Sequence, residues 1–125
     1  MRIDYLKLKD FRNAEGSEIL FDSGINIICG ANAAGKTNIL ESVFYFASGK
    51  SFRNCKDREL IRFGCDKANI EMGFTSGRFQ KKMSASLSKG SRRIIRMGES
   101  QPLKLSEYIG QFRAVIFTPD HLSLV

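Results

Sequence analysis

Residues 30 to 37 read GANAAGKT, and they match G-x-x-x-x-G-K-[ST] at every fixed position through Gly30, Gly35, Lys36 and Thr37. A loop of this pattern has to lie between a strand and a helix, because successive backbone N–H groups must point inward at one anion. The intervening Ala31, Asn32, Ala33 and Ala34 are small enough for the chain to wrap a phosphate closely. Lys36 would reach the β and γ oxygens of a nucleotide. Thr37 would give Mg²⁺ a hydroxyl ligand and open a helix whose dipole faces the same charge. The flanks agree: Ile25, Ile27, Ile28 and Cys29 read as a short apolar strand, and Ile39, Leu40, Val43, Phe44 and Ala47 recur at helical spacing. Asn38, Glu41 and Ser42 fall on the other face of that helix. The expected ligands are ATP and Mg²⁺.

A chain of 125 residues, 42% hydrophobic and 26% charged, suffices for one domain with a core. Its longest apolar run, Val43 to Ala47, is far too short to cross a bilayer, so the expected setting is cytoplasmic, with no membrane partner. Cys29, Cys55 and Cys65 show no C-x-x-C pairing, and His121 alone cannot complete a zinc set with them. They read as buried or half-buried thiols. The net charge of +7 is unevenly placed. The run RFQKKMSASLSKGSRRIIR, residues 78 to 96, is strongly basic and contains no acid. Lys81, Lys82, Lys89, Arg92, Arg93 and Arg96 are therefore candidates for DNA phosphate contacts, or else a solvated strand face.

Residues 2 to 9 alternate and read as a half-buried strand ending at Phe11, with Glu18 to Phe21 a second strand and residues 22 to 24 a turn. Gly49 is placed to cap the helix C-terminus, and Asp57 to Arg62 reads as a short helix begun by an Asp cap. From Ala68, strand-like runs separated by Ser76-Gly77, Lys89-Gly90 and Gly98 to Ser100 predict an antiparallel meander. Ser106 to Phe112 reads as one or two helical turns, and Ala114 to Phe117 as a buried strand.

Phe11-Arg12-Asn13 closing the first strand, the run NIICGANAAGKTNILESVFYFASGKSFR, the DRELIRFG segment and the closing LSEYIGQFRAVIFTPDHLSLV together resemble the bacterial RecF recombination proteins. Their ATPase head is similar to those of Rad50 and SMC proteins and is of the ABC type. The resemblance covers the whole chain, but only the N-terminal part of a full member. It implies an α/β fold: the N-terminal lobe of an ABC-type P-loop ATPase head, with an antiparallel β-meander beside the P-loop strand and helix. It also implies that Arg12 and Asn13 lie near the adenosine and α-phosphate, and that residues 32 to 38, ending at Asn38, wrap the β-phosphate. Asp120 falls in the loop that in ABC enzymes senses Mg²⁺ and the γ-phosphate; capping a helix after Pro119 is its other reading. Phe52 and Ala33 depart from the commoner His and Gly of such sequences.

Two further patterns imitate ABC elements. Leu87-Ser88-Lys89-Gly90 copies a signature but is followed by strand-like SRRIIR, and so reads as a hairpin turn. Ile19-Leu20-Phe21-Asp22 resembles a Walker B strand but lies before the phosphate loop. With neither a signature nor a Walker B carboxylate, residues 1 to 125 read as an N-terminal ATPase subdomain that binds ATP without hydrolysing it. The resemblance implies a DNA replication and repair ATPase that binds duplex or gapped DNA as an ATP-dependent homodimer. It implies partnership with RecR and RecO in placing RecA at gaps. The alternatives are the head of a Rad50, SMC or overcoming-lysogenization-type ATPase, or a P-loop small-molecule kinase, which would leave the basic run unexplained.

Overall fold

Alternation governs the first element. In β1 (Arg2–Phe11), Leu6, Leu8 and Phe11 are buried on one side while Lys7 and Lys9 face solvent on the other. The computed structural model describes residues 1–28, 35–53, 55–99 and 101–115. After a turn at Arg12 and Asn13 that sets Phe11 opposite Ala14, β2 (Ala14–Leu20) runs back along β1. The other edge of β1 pairs with β3 (Lys67–Ser76), which continues through β4 (Phe79–Ser88) and β5 (Ser91–Met97). The result is a five-stranded antiparallel sheet of order β2-β1-β3-β4-β5.

One face of this sheet carries the core. Leu6, Leu8, Ile70, Met72, Phe74, Met83, Ala85, Leu87 and Ile95 pack there. Tyr45 and Phe46 of α1 (Lys36–Ser48) join them, with Leu60 of a 3₁₀ turn (Asp57–Leu60) and Tyr108 of the short α2 (Leu105–Tyr108). Phe112 closes the cluster, edge-on to Phe74 at 5.3 Å. No helix among the described residues is long and apolar enough to cross a membrane.

The opposite face contains a close approach. Gly73 lies under the ring of Tyr5, where an added Cβ would stand 2.1 Å from a ring carbon. The Tyr5 hydroxyl donates to Glu71 Oε2 at 2.7 Å, and burial together with that carboxylate pushes the phenol up to about 12.

The first strand, the meander, α1, its Gly49 cap and the Lys89-Gly90 hairpin stand where the sequence puts them, whereas the second strand starts at Ala14, four residues before the expected Glu18, and ends at Leu20. Several expectations need correction. Residues 25–28 form no strand: Ile25 and Ile27 are exposed, and among the described residues no strand pairs with them. The chain instead closes locally, with Asn26 accepting from Asp22 N–H and donating to the Asp22 and Gly24 carbonyls. The buried face of α1 is rotated from the expected one. Glu41, Ser42, Tyr45 and Phe46 are its buried residues, whereas Leu40 is exposed. Asp57 is not the cap: it is the first residue of a 3₁₀ turn whose N-cap, Lys56, has no side-chain acceptor to offer, and its carboxylate lies 3.9 Å from Arg93 Nη1. Ala114 and Val115 belong to no strand, and the rest of that expected element, with Asp120 and His121, lies outside the described residues.

Gly73→Ala should destabilise the protein by about 1–3 kcal/mol, since the Tyr5 ring must move. Gly16→Ala, with nothing within 4 Å of the added methyl, should stay within about 0.5 kcal/mol. Urea denaturation of both variants checks this pair.

Candidate nucleotide site

The site is built where the β1–β2 turn meets the start of α1. Gly35 precedes the helix with φ 87°, a left-handed conformation that suits glycine, and it offers no side-chain cap. No acidic residue lies in the first turn. Lys36 is half-buried and Thr37 exposed, so the first-turn N–H groups, a cation and a hydroxyl share one helix end. An oxygen donor suits Mg²⁺, which keeps most of its waters and takes few protein ligands. Gly30, Ala31, Asn32, Ala33 and Ala34 lie outside the described residues.

Arg12 and Asn13 face this end. Asn38 Nδ2 donates to Asn13 Oδ1 at 2.6 Å, joining the hairpin turn to the first turn of α1. Arg12 has φ 53°, a left-handed backbone that costs a non-glycine residue about 1–2 kcal/mol. Its backbone N–H, donating to the Leu60 carbonyl at 2.8 Å, and its guanidinium both anchor it. Nε and Nη2 each donate to the Glu41 carboxylate at 2.9 Å, a two-pronged pair. Glu41 is fully buried, and it also accepts from Ser51 Oγ and lies 3.6 Å from Arg53 Nη1. These Glu41 hydrogen bonds raise the Arg12 pKa further above its already high value, although burial acts the other way. Arg12 Nη2 also reaches Cys55 Sγ at 3.3 Å.

Glu41 and Ser51 were not among the residues expected at the site. The available signal was a lone acid between apolar residues of α1, with no basic partner three or four positions away. Cys55 and Cys65 are half-buried free thiols, as expected, and Cys29 lies outside the described residues. Among the described residues no group of His, Cys, Asp and Glu could hold a metal ion.

Strand alternation splits the basic candidates between the two faces. Lys82, Arg92 and Arg96 lie on the solvent side of β4 and β5, in line with Ser84 and Ser86, and Lys82 pairs with Glu99 at 3.1 Å. Lys81 and Arg93 have the core parity of Met83 and Ile95. Arg93 turns toward α1, where Nη1 donates to the Tyr45 hydroxyl at 3.1 Å and to the Gly49 carbonyl. Burial raises the Tyr45 pKa, against the effect of the Arg93 hydrogen bond. Lys89 sits at the tip of the β4–β5 hairpin, its N–H bonded to the Asp66 carbonyl. Asp22 lies in the turn after β2.

A family model described as an AAA domain matches residues 5–116. The chain belongs to the AAA-domain family. Within it, the chain is 42% identical over 125 residues to the DNA replication and repair protein RecF of Clostridium acetobutylicum, covering all of this chain and 34% of that protein. It is 40% identical over 127 residues to RecF of Lacticaseibacillus casei, covering 33% of that relative. The chain thus spans about a third of the length of the curated relatives it matches. Among solved structures, the recombination mediator protein RecF with ATP, from the RecFOR pathway, superposes with a TM-score of 0.89 at 30% identity, over 98% of this chain and 33% of that one. The SMC head domain from Thermotoga maritima superposes with a TM-score of 0.74 at 23% identity, over 90% of this chain and 42% of that one, and shares the fold. This AAA-domain chain therefore has the fold of the N-terminal lobe of an ABC-type ATPase head, an α/β arrangement in which α1 packs on an antiparallel sheet.

The Arg12–Glu41 pair should be strongly coupled. Arg12→Ala leaves a buried carboxylate with fewer partners, whereas Glu41→Gln leaves a guanidinium that can still reach water. The double variant should recover about 1–3 kcal/mol relative to the sum of the single ones, read from denaturation midpoints in a double-mutant cycle.

Proposed function

We infer that this chain is the ATP-binding lobe of a RecF-like DNA replication and repair ATPase. The observation that carries this reading is the start of α1: Lys36 and Thr37 follow left-handed Gly35 at an uncapped helix end, with Arg12 and Asn13 of the hairpin turn beside it. The match to a RecF structure with ATP supports the same ligand. Residues 30–38 would cradle the triphosphate, Lys36 would neutralise its β and γ oxygens, and Thr37 would hold Mg²⁺. Bound Mg²⁺ would supply positive charge to the phosphate oxygens. Arg12 and Asn13 would border the nucleoside side.

In this reading residues 1–125 form an N-terminal ATPase subdomain, and the signature and Walker B carboxylates come from elsewhere in the full-length protein or its partner copy. The chain alone then binds nucleotide without turning it over. ATP would close a homodimer, with Asp120 as the candidate sensor of the γ-phosphate. Duplex or gapped DNA would be gripped through exposed cations of the β4–β5 hairpin, in a cytoplasmic pathway with RecR and RecO that serves RecA loading. Lys82, Arg92 and Arg96 share the solvent side of that hairpin, while Lys81 and Arg93 have the opposite parity.

Lys36→Ala should weaken MgATP binding by about 1.5–3 kcal/mol in isothermal titration, with an unchanged circular dichroism spectrum. Equal affinities would remove the phosphate site. For DNA, Arg92→Ser with Arg96→Ser should flatten the salt dependence by about 0.9 log unit for each phosphate no longer neutralised, measured by fluorescence anisotropy across a salt series. An unchanged slope would put the DNA contacts on another surface.

A further inference from the structure

One phenylalanine beside the site is fully exposed. Phe63 is 100% exposed, whereas Phe11, Phe46, Phe74 and Phe112 are buried. Burying such a side chain would gain about 2 kcal/mol, so a ring held out in water forgoes a stabilisation those four obtain. Nor does it sit on a loose loop. The preceding segment is tied to the end of β1 by the Phe11–Ile61 bridge, by Arg12 N–H to the Leu60 carbonyl at 2.8 Å and by Arg62 N–H to the Asp10 carbonyl at 2.7 Å. Cys65 N–H then closes on the Arg62 carbonyl at 2.9 Å, so Phe63 and left-handed Gly64 form the corner of a tight turn. The same ties that fix Arg12 therefore fix the backbone carrying Phe63.

That ring borders an open cavity of about 960 Å³ shared with Arg12, Asn13, Asn38, Arg58 and Arg62. The volume is at the upper end of the range found for small-molecule sites. One wall begins at Asn38, the residue after Thr37, so a nucleotide with its phosphates on Lys36 and Thr37 has this space for its remaining half. The lining combines an aromatic face, guanidinium planes and two side-chain amides with Glu59, Ile61 and Lys89. An aromatic face with guanidinium planes is the chemistry on which a nucleobase stacks, and amides can meet its polar edge.

We propose that Phe63 is the platform on which the base of the bound nucleotide stacks. The proposal rests on the phosphate-site reading of Lys36 and Thr37, and ligands with and without a base separate the two. In the protein at its natural length, Phe63→Ala should weaken MgATP binding about 5- to 100-fold, the span typical of one stacked base. Inorganic tripolyphosphate with Mg²⁺ should bind wild type and Phe63→Ala alike, and Phe63→Trp should retain the affinity for MgATP. Because the side chain is exposed, the melting temperature should not move. Equal MgATP affinity for wild type and Phe63→Ala would overturn the stacking role. So would a loss for tripolyphosphate as large as that for ATP, which would mark a disturbed phosphate loop. If wild type binds tripolyphosphate but gains nothing from the adenosine, the phosphate site stands and the base site falls. If it binds neither, both fall.

Discussion

A carboxylate with no access to water must be fully satisfied by its neighbours, and in this chain the Glu41 carboxylate draws three separate segments together for that reason. Arg12 comes from the turn between the first two strands, and Ser51 and Arg53 from the segment after the helix. The helix that contributes Glu41 also begins with Lys36 and Thr37. The guanidinium that neutralises the acid is thereby held at the edge of the candidate nucleotide site, on a left-handed backbone whose strain these anchors hold in place. Structure and site depend on one ion pair.

The sheet divides labour between its faces. Apolar residues on one side receive the helix and the 3₁₀ turn, and the basic residues of the last hairpin are sorted by the same alternation. A stretch that looks uniformly cationic along the chain is two populations in space. Arg93 is committed to Tyr45, the Gly49 carbonyl and Asp57. Arg92 and Arg96 lie on the outer side, with Lys82, which pairs with Glu99.

Much of this was legible from local rules. The GKT ending of the loop gave the helix start, Gly49 its end, and strand alternation with glycine-containing turns gave the meander. Three features needed partners that only the fold supplies. Residues 25–28 have strand composition, but a strand exists only where another pairs with it. Glu41 and Ser42 look like a solvent-facing pair until Arg12 arrives from 29 positions away to satisfy the acid. Phe63 looks like any core aromatic, and the turn that turns it outward depends on bonds from Arg12 and Arg62 to distant carbonyls.

Arg93 has a consequence for how α1 can move. A helix resting on apolar side chains alone can roll about its axis or slide along its groove at little expense, since such contacts have no direction. Here the sheet side grips it at two polar points, Glu41 and the Gly49 carbonyl, eight residues or about 12 Å apart. One point would still permit pivoting. Two, bound by arginines rooted in different strands of the sheet or its turns, fix both the azimuth and the axial position of the helix, so the residues at its first turn are aimed by the sheet as a rigid body.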